Sequence, residues 1–353
     1  MTSFSHGVRN KYLPRRERIM NGAITDVPGF QVGHAQDFKG ATGCTVVLCP
    51  PNTVGGVDVR GSAAGTRQID SLQPYHFVDE VHAVLFSGGS AFGLDASGGV
   101  MRFLEERSVG YPTSAGKVPI VPTAILYDLG IGESRIRPNQ EMGYQACVNS
   151  RPGRVEEGSI GAGTGASVGK FLGISWATKG GVGTTSVILP SGIIVAALVV
   201  VNAFGDVIDP QEGKIIAGAR DPQNPGFFLD SAARIKESVI PFRAQKGFQN
   251  TTLGVVATNV KLSKRQAIKV AQMSQSGFAR TIRPVHSTVD GDLIFTLSAG
   301  DRNADVDAVG LMAEEAVAVA VHRAIREADG LGYLPAYKDL VRSSEKGSSG
   351  STP

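Results

Sequence analysis

Cysteine is scarce in this sequence. The 353 residues include three, Cys44, Cys49 and Cys147. An odd number without CxxC spacing excludes a disulfide framework and a zinc-binding pattern, and it points to a reducing, cytoplasmic compartment. Charge is sparse as well, at 19% of residues, and nearly balanced at a net +3. A dedicated nucleic-acid binder would carry a dense basic face, so none is expected as a partner. The longest apolar run, Ile193 to Val201, falls far short of the ~20 residues that a membrane span needs. Six histidines (His6, His34, His76, His82, His286, His322) form no HExxH or i,i+4 pair, which disfavours a metal site or a histidine-based triad. Residues 8–20 are basic but no apolar stretch follows them, so no export signal is expected. Residues 1–20 and 341–353 read as flexible ends.

Glycine is plentiful, with 45 residues, and apolar residues make up 42%. A soluble globule with many tight, shaped loops is expected. Short apolar runs bounded by Gly, Pro and Asn predict strands at Cys44–Leu48, His82–Phe86, Ile193–Val201, Leu253–Ala257 and Leu293–Leu297. The run IIVAALVVV has no alternation, which suits a strand covered on both faces. Helices are predicted over Ser90–Arg107, over Lys264–Phe278 behind an N-cap at Ser263, and over Val306–Ala328 with Gly330 placed to end it. The small side chains of the last helix let it lie close against a sheet. No repeat and no long linker is present, so one α/β domain of helices layered on paired sheets is expected over residues 1–353.

Several motifs invite chemistry. GSIGAGTGASVGK (Gly158 to Lys170) contains GxGxxA, but a Walker loop needs glycine where Thr164 stands, and the preceding RPGRVEE is too polar for a dinucleotide strand. A close-packed turn, or backbone N–H groups lining a pocket with Lys170, accounts for it equally well. FSGGSAFGLDA (Phe86 to Ala96) has the setting of a nucleophile elbow without GxSxG, and Ser90 reads as a helix cap. Asp290 and Asp292 flank a glycine and read either as a cation pair or as a plain loop. The stretch FQNTTLGVVATN (Phe248 to Asn259) reads plainly as a loop entering a strand. Yet a threonine hydroxyl at the mouth of a buried strand can attack the preceding Asn250–Thr251 peptide bond. An N→O acyl shift and hydrolysis then expose an α-amine on the nucleophile itself. Such an amine titrates near ~8 and can take the hydroxyl proton, so no histidine is needed.

Taken together, TDVPGFQVGH (Thr25 to His34), RGSAAGT (Arg60 to Thr66), SGGSAFGLDA, VPTAILYDL (Val121 to Leu129), GAGTGASVGK, KGGVGTTS (Lys179 to Ser186), VVVNAFG (Val199 to Gly205), NTTLGVVATNV and VDGD (Val289 to Asp292) resemble the P1 (S58-type) family of self-processing peptidases and amidases. That family includes the L-aminopeptidase/D-esterase, the β-peptidyl aminopeptidases and the 6-aminohexanoate (nylon) oligomer endohydrolases. The resemblance implies a four-layer αββα sandwich of the N-terminal-nucleophile type. It also implies cleavage into residues 1–250 and 251–353, which stay associated, a homo-oligomer (commonly a tetramer), small peptide or amide substrates, and no cofactor.

By the same resemblance Thr251 is the nucleophile, Asn202 donates to the oxyanion, and the Tyr127 hydroxyl assists there or at the leaving group. Lys170 depresses the pKa of the Thr251 amine, and Asp290 and Asp292 hold it. A threonine stands where the aminopeptidase branch commonly has serine, which leans toward the nylon-oligomer type of site. The nearest alternative is an acyltransferase resembling ornithine acetyltransferase, with the same nucleophile passing its acyl group to an amine.

Overall fold

A computed structural model describes residues 22–224, 226–237 and 250–341. Of the expected flexible ends, 1–20 and 341–353, all but Val341 lie outside the described residues, and Val341 closes a helical turn over residues 337–341. Ten strands build two sheets: β1 (Gln31–Asp37), β2 (Thr42–Leu48), β3 (Val54–Val59), β4 (Gly65–Arg67), β5 (Ala83–Ser87), β6 (Thr123–Ile125), β7 (Gly181–Ile188), β8 (Ile194–Asn202), β9 (Thr251–Val260) and β10 (Leu293–Arg302). Four main helices cover them: α1 (Ala96–Glu105), α2 (Gln140–Val148), α3 (Lys264–Thr281) and α4 (Val306–Arg326). The first sheet runs β1-β2-β5-β6-β4 and the second β7-β8-β9-β10-β3. Pairing is antiparallel except for β5–β6 and β9–β10.

Side-chain alternation sorts the apolar residues into three layers of core. Val47, Phe86 and Ala124 of one sheet meet Leu198, Leu253, Val255 and Phe295 of the other, with Phe86 and Phe295 stacked at 6.1 Å. On the outer face of the second sheet, Val199, Val256 and Ile294 pack against Val270, Phe278, Ala313 and Val317 of α3 and α4. On the outer face of the first, Val46 and Leu85 pack against Val100, Leu104 and Ala146 of α1 and α2. The order is therefore helix, sheet, sheet, helix, as expected. Burial on both faces is why β8 shows no alternation. Gly183 of β7 explains the close seat of α4, since a Cβ there would stand 2.1 Å from the Ala320 carbonyl oxygen.

The Ser263 cap forms as predicted, with its hydroxyl accepting the Gln266 N–H and Gln266 bonding back to the Ser263 N–H. Two expectations fail. Ser90 caps no helix: it sits in the left-handed region at φ +55° and opens a 3-10 turn, Ser90–Asp95, ahead of α1. Its N–H is drawn to the Leu126 carbonyl (3.0 Å) while Asp128 accepts the Gly89 N–H (2.7 Å). Gly330 does not end α4, which stops at Arg326 with Glu327 as its C-cap; beyond it, Ser159 Oγ accepts the Asp329 N–H and donates to its carbonyl. The three cysteines are free thiols.

Phe295 fills the centre of the inter-sheet layer with no exposed surface. Phe295→Ala is expected to cost ~3–5 kcal/mol. Urea unfolding checks this as a lowered midpoint at unchanged slope.

Candidate active site

Strand directions bring the site together before any side chain is considered. Because β9 and β10 run parallel, with Leu253 beside Leu293, the residues entering both strands share one end of the sheet. An isolated parallel bridge joins Asn250 to Asp290 there. On the other flank β8 runs antiparallel, so its last residue, Asn202, lies opposite Thr251. Ala196, Leu198 and Val200 face the other sheet, as do Leu253, Val255 and Ala257; the period of two puts Asn202 and Thr251 on that same inner face. Tyr127 approaches from the facing sheet, two residues past β6.

Thr251 opens β9 and is 3% exposed. Its hydroxyl is 2.5 Å from the Asn250 carbonyl oxygen, and that oxygen also accepts the Gly291 N–H at 2.7 Å. The Asn250 N–H in turn donates to the Val289 carbonyl at 3.0 Å. Asn202 Oδ1 accepts from Lys170 Nζ (2.7 Å) and from the Ser167 N–H (3.0 Å), and its Nδ2 donates to the Tyr127 carbonyl (3.1 Å). These contacts fix which end of the amide is the donor. Lys170 Nζ also donates to the Asn202 carbonyl at 2.8 Å.

The two carboxylates are held by backbone. Asp292 Oδ1 accepts the Thr252 N–H at 2.7 Å, and its Oδ2 takes both the N–H and Nδ1 of His286 at 3.0 Å. Asp290 accepts the Phe204 N–H (3.1 Å) and the Ser287 hydroxyl. Burial, then the neighbouring Asp292 charge, pushes Asp290 up to about 7. Burial likewise pushes Lys170 down to about 7, against the pull of Asp290 and Asp128. The site thus holds an acid and a base whose charged forms are costly in isolation and stabilise each other.

Thr251, Asn202, Lys170, Asp290, Asp292 and Asn250, the expected cleavage position, therefore share one corner. Two expected contacts differ in kind. Tyr127 reaches Asn202 through its carbonyl rather than its hydroxyl, and Lys170 is bonded to Asn202. Reasoning from sequence missed His286, Ser287, Gly291 and Lys179. Lys179 Nζ is fully buried and donates to the carbonyls of Gly163, Ala166 and Gly180 at 2.8–2.9 Å. That makes the glycine-rich stretch a clamped turn, with Lys170 at its far end lining the site. The signal for Lys179 was present in the KGG that follows this stretch. Among the described residues no cluster of His, Cys, Asp and Glu is arranged for a metal ion, and no helix is long and apolar enough to cross a membrane.

The sequence model of peptidase family S58 matches residues 22–333. A Mycobacterium leprae protein named as an uncharacterized aminopeptidase is 40% identical over 89% of this chain and 93% of its own. A 6-aminohexanoate-oligomer endohydrolase of Kocuria sp. is 32% identical over 78% of this chain and 74% of its own. Among solved structures, the L-aminopeptidase D-Ala-esterase/amidase of Ochrobactrum anthropi, described as a variant of the Ntn-hydrolase fold, superposes with a TM-score of 0.67 at 19% identity, covering 92% of this chain and 94% of that one. A Burkholderia sp. β-aminopeptidase gives 0.64 at 19%, over 95% and 96%. These two establish the fold.

Asp290 has a titration to test. With its folded pKa raised above the unfolded ~3.9, the folded chain keeps a proton that the unfolded chain has released, so stability falls as pH rises from ~4 to ~7. In a Thr251→Ala background, which removes the hydroxyl expected to attack the preceding peptide bond, Asp290→Asn should flatten that fall. Urea unfolding at both ends of the window checks it, and parallel losses in the two chains would refute it.

Proposed function

We propose that this chain, which belongs to peptidase family S58 and hydrolyses amide bonds, does so with Thr251 as an N-terminal nucleophile freed by its own cleavage of the Asn250–Thr251 bond. The observation that carries this reading is the Thr251 hydroxyl lying 2.5 Å from the carbonyl oxygen of the residue it follows. In maturation Oγ1 adds to the Asn250 carbonyl carbon, the C–N bond breaks, and the nitrogen takes the hydroxyl proton. The resulting ester is hydrolysed by water, leaving an Asn250 carboxylate and a free Thr251 amine. The product is two fragments, 1–250 and 251–353, held together by the pairing of β9 with β8.

In turnover that amine takes the proton of Oγ1 as the hydroxyl attacks the substrate carbonyl, then hands it to the departing amine. Water resolves the ester. Asn202 Nδ2 donates to the oxyanion, its orientation set by Lys170 and the Ser167 N–H. Lys170 thus acts by holding Asn202, and its proximity to the acidic pair disfavours a second cation on the new amine. Asp292, already bonded to the Thr252 N–H, and Asp290 orient the strand end that carries the amine.

The substrates are small peptides or linear amides. Greater identity to relatives named aminopeptidases than to those named endohydrolases (40% against 32%) supports an acyl group with a free amino end, with 6-aminohexanoyl amides as the second arm of a substrate panel. Water as acyl acceptor, rather than the amine of an acyltransferase, is supported by the hydrolase names of these relatives. Exposed Tyr75, Phe77 and Leu311 support a homo-oligomer, the family pattern supports a tetramer, and three cysteines without CxxC spacing support a cytoplasmic setting.

Mass spectrometry of the purified protein should find two chains, the second beginning at Thr251. Thr251→Ala should stay one chain without amidase activity, and activity in that variant would sink the assignment. Asn202→Ala is expected to lower kcat by ~100-fold or more, the scale of one lost oxyanion donor; a KM rise at unchanged kcat would assign it to ground-state binding instead.

A further inference from the structure

Two carbonyls must be attacked by one hydroxyl in the reading above, first that of Asn250 and later that of the substrate. In the uncut chain these two tasks have separate donors. The Asn250 oxygen is held on the β10 side of Thr251 by the Gly291 N–H at 2.7 Å. Asn202 lies on the β8 side, with its Nδ2 donating to the Tyr127 carbonyl and its Oδ1 taken by Lys170 and Ser167. It makes no bond to Asn250. The pairing Asn250–Asp290 and the bond from the Asn250 N–H to the Val289 carbonyl lock this arrangement.

We propose that the backbone N–H of Gly291 is the oxyanion donor of the self-cleavage step, and that the side-chain amide of Asn202 serves only substrate turnover. As Oγ1 bonds to the Asn250 carbonyl carbon, the carbonyl π pair moves onto its oxygen, where the Gly291 N–H already points. Collapse of that oxyanion expels the Thr251 nitrogen, which takes the hydroxyl proton. Glycine is required here by space: a Cβ at position 291 would stand 2.8 Å from Thr251 Oγ1 and 2.9 Å from the Ala63 carbonyl oxygen. Side chains larger than hydrogen therefore press on the attacking atom, while the N–H supplies the charge stabilisation.

This rests on self-cleavage at Asn250–Thr251, and the test separates the two. The full chain is made by in vitro translation with glycolic acid inserted at position 291, which replaces that N–H by an ester oxygen and adds no side chain. Glycine inserted by the same route is the control. Conversion of the single chain to two fragments is followed on gels, and trypsin resistance reports the fold. The ester chain should cut ~10²–10³-fold more slowly than the control. Asn202→Ala should cut within about threefold of wild type while its kcat falls by ~100-fold or more. A trypsin-resistant ester chain that cuts at the control rate overturns the proposal, and so does a trypsin-resistant Asn202→Ala that stays whole. If one of the two is trypsin-sensitive, the other decides. A wild-type control that never cuts at this bond refutes the parent reading instead.

Discussion

The parallel pairing of β9 with β10 is the constraint on which the site depends. Parallel strands start at the same end, and joining them requires a crossover, here α3 on the outer face of the sheet. That one choice sets Asn250–Thr252 alongside Asp290–Asp292, although 40 residues of chain separate them. Had the pair been antiparallel, the acidic residues would lie at the far end of the sheet, roughly 30 Å from Thr251 at ~3.3 Å per residue. The antiparallel neighbour β8 then delivers Asn202 by ending where β9 begins. Fold and site are thus one set of hydrogen bonds. The apolar layers on both faces keep the ladder dry, so its register does not slip.

Burying charge at such a corner is expensive unless each charged group meets a partner. Lys170, Lys179, Asp128, Asp290 and Asp292 are all at most 5% exposed. The burden is spread over backbone: three carbonyls for Lys179, two N–H groups for Asp292, one for Asp290 and one for Asp128. Burial pushes Lys170 down and Asp290 up, both to about 7, and each charge draws the other part of the way back. Lys179 differs in serving no reacting group. It ties the glycine-rich turn to β7, and that turn carries Ser167 and Lys170, the two residues that orient Asn202.

How much of this was legible depended on whether a role belongs to a residue type or to a place in a ladder. Strands such as Cys44–Leu48 and Leu293–Leu297 announce themselves by composition, and the Ser263 cap by the glutamine three residues on. Thr251 after Asn250, Asn202 after an apolar run, and the Asp-Gly-Asp pair stand out because few chemistries use those types in that setting. Gly291 acts through its backbone N–H, which every residue has, so no side-chain pattern reveals it; Tyr127 stood out for its hydroxyl, yet its bond to Asn202 is made by its carbonyl. His286 and Ser287 matter only because a turn folds them onto Asp292 and Asp290. Ser90 misled for a related reason: its preference for helix starts was overridden by a tertiary bond to Leu126.

Burial of Thr251 would give the proposed self-cleavage a second consequence beyond making an amine. In the uncut chain Thr251 is 3% exposed and Asn250 has no exposed surface; the carbonyl of Asn250 fills the place beside Oγ1 that a foreign carbonyl would need. Among the described residues, the carbonyl that the Thr251 hydroxyl bonds is the chain's own, that of Asn250. On the reading proposed here, the first acyl group transferred to Thr251 is therefore also the plug of the site, and its hydrolysis opens the space in which all later substrates react. A hydroxyl confined this way is held close to one carbonyl at no further entropic cost, which lets a poor nucleophile act before its base exists. Once the base has formed, the confinement is gone, and orientation falls to Asn202 and the strand ladder on either side.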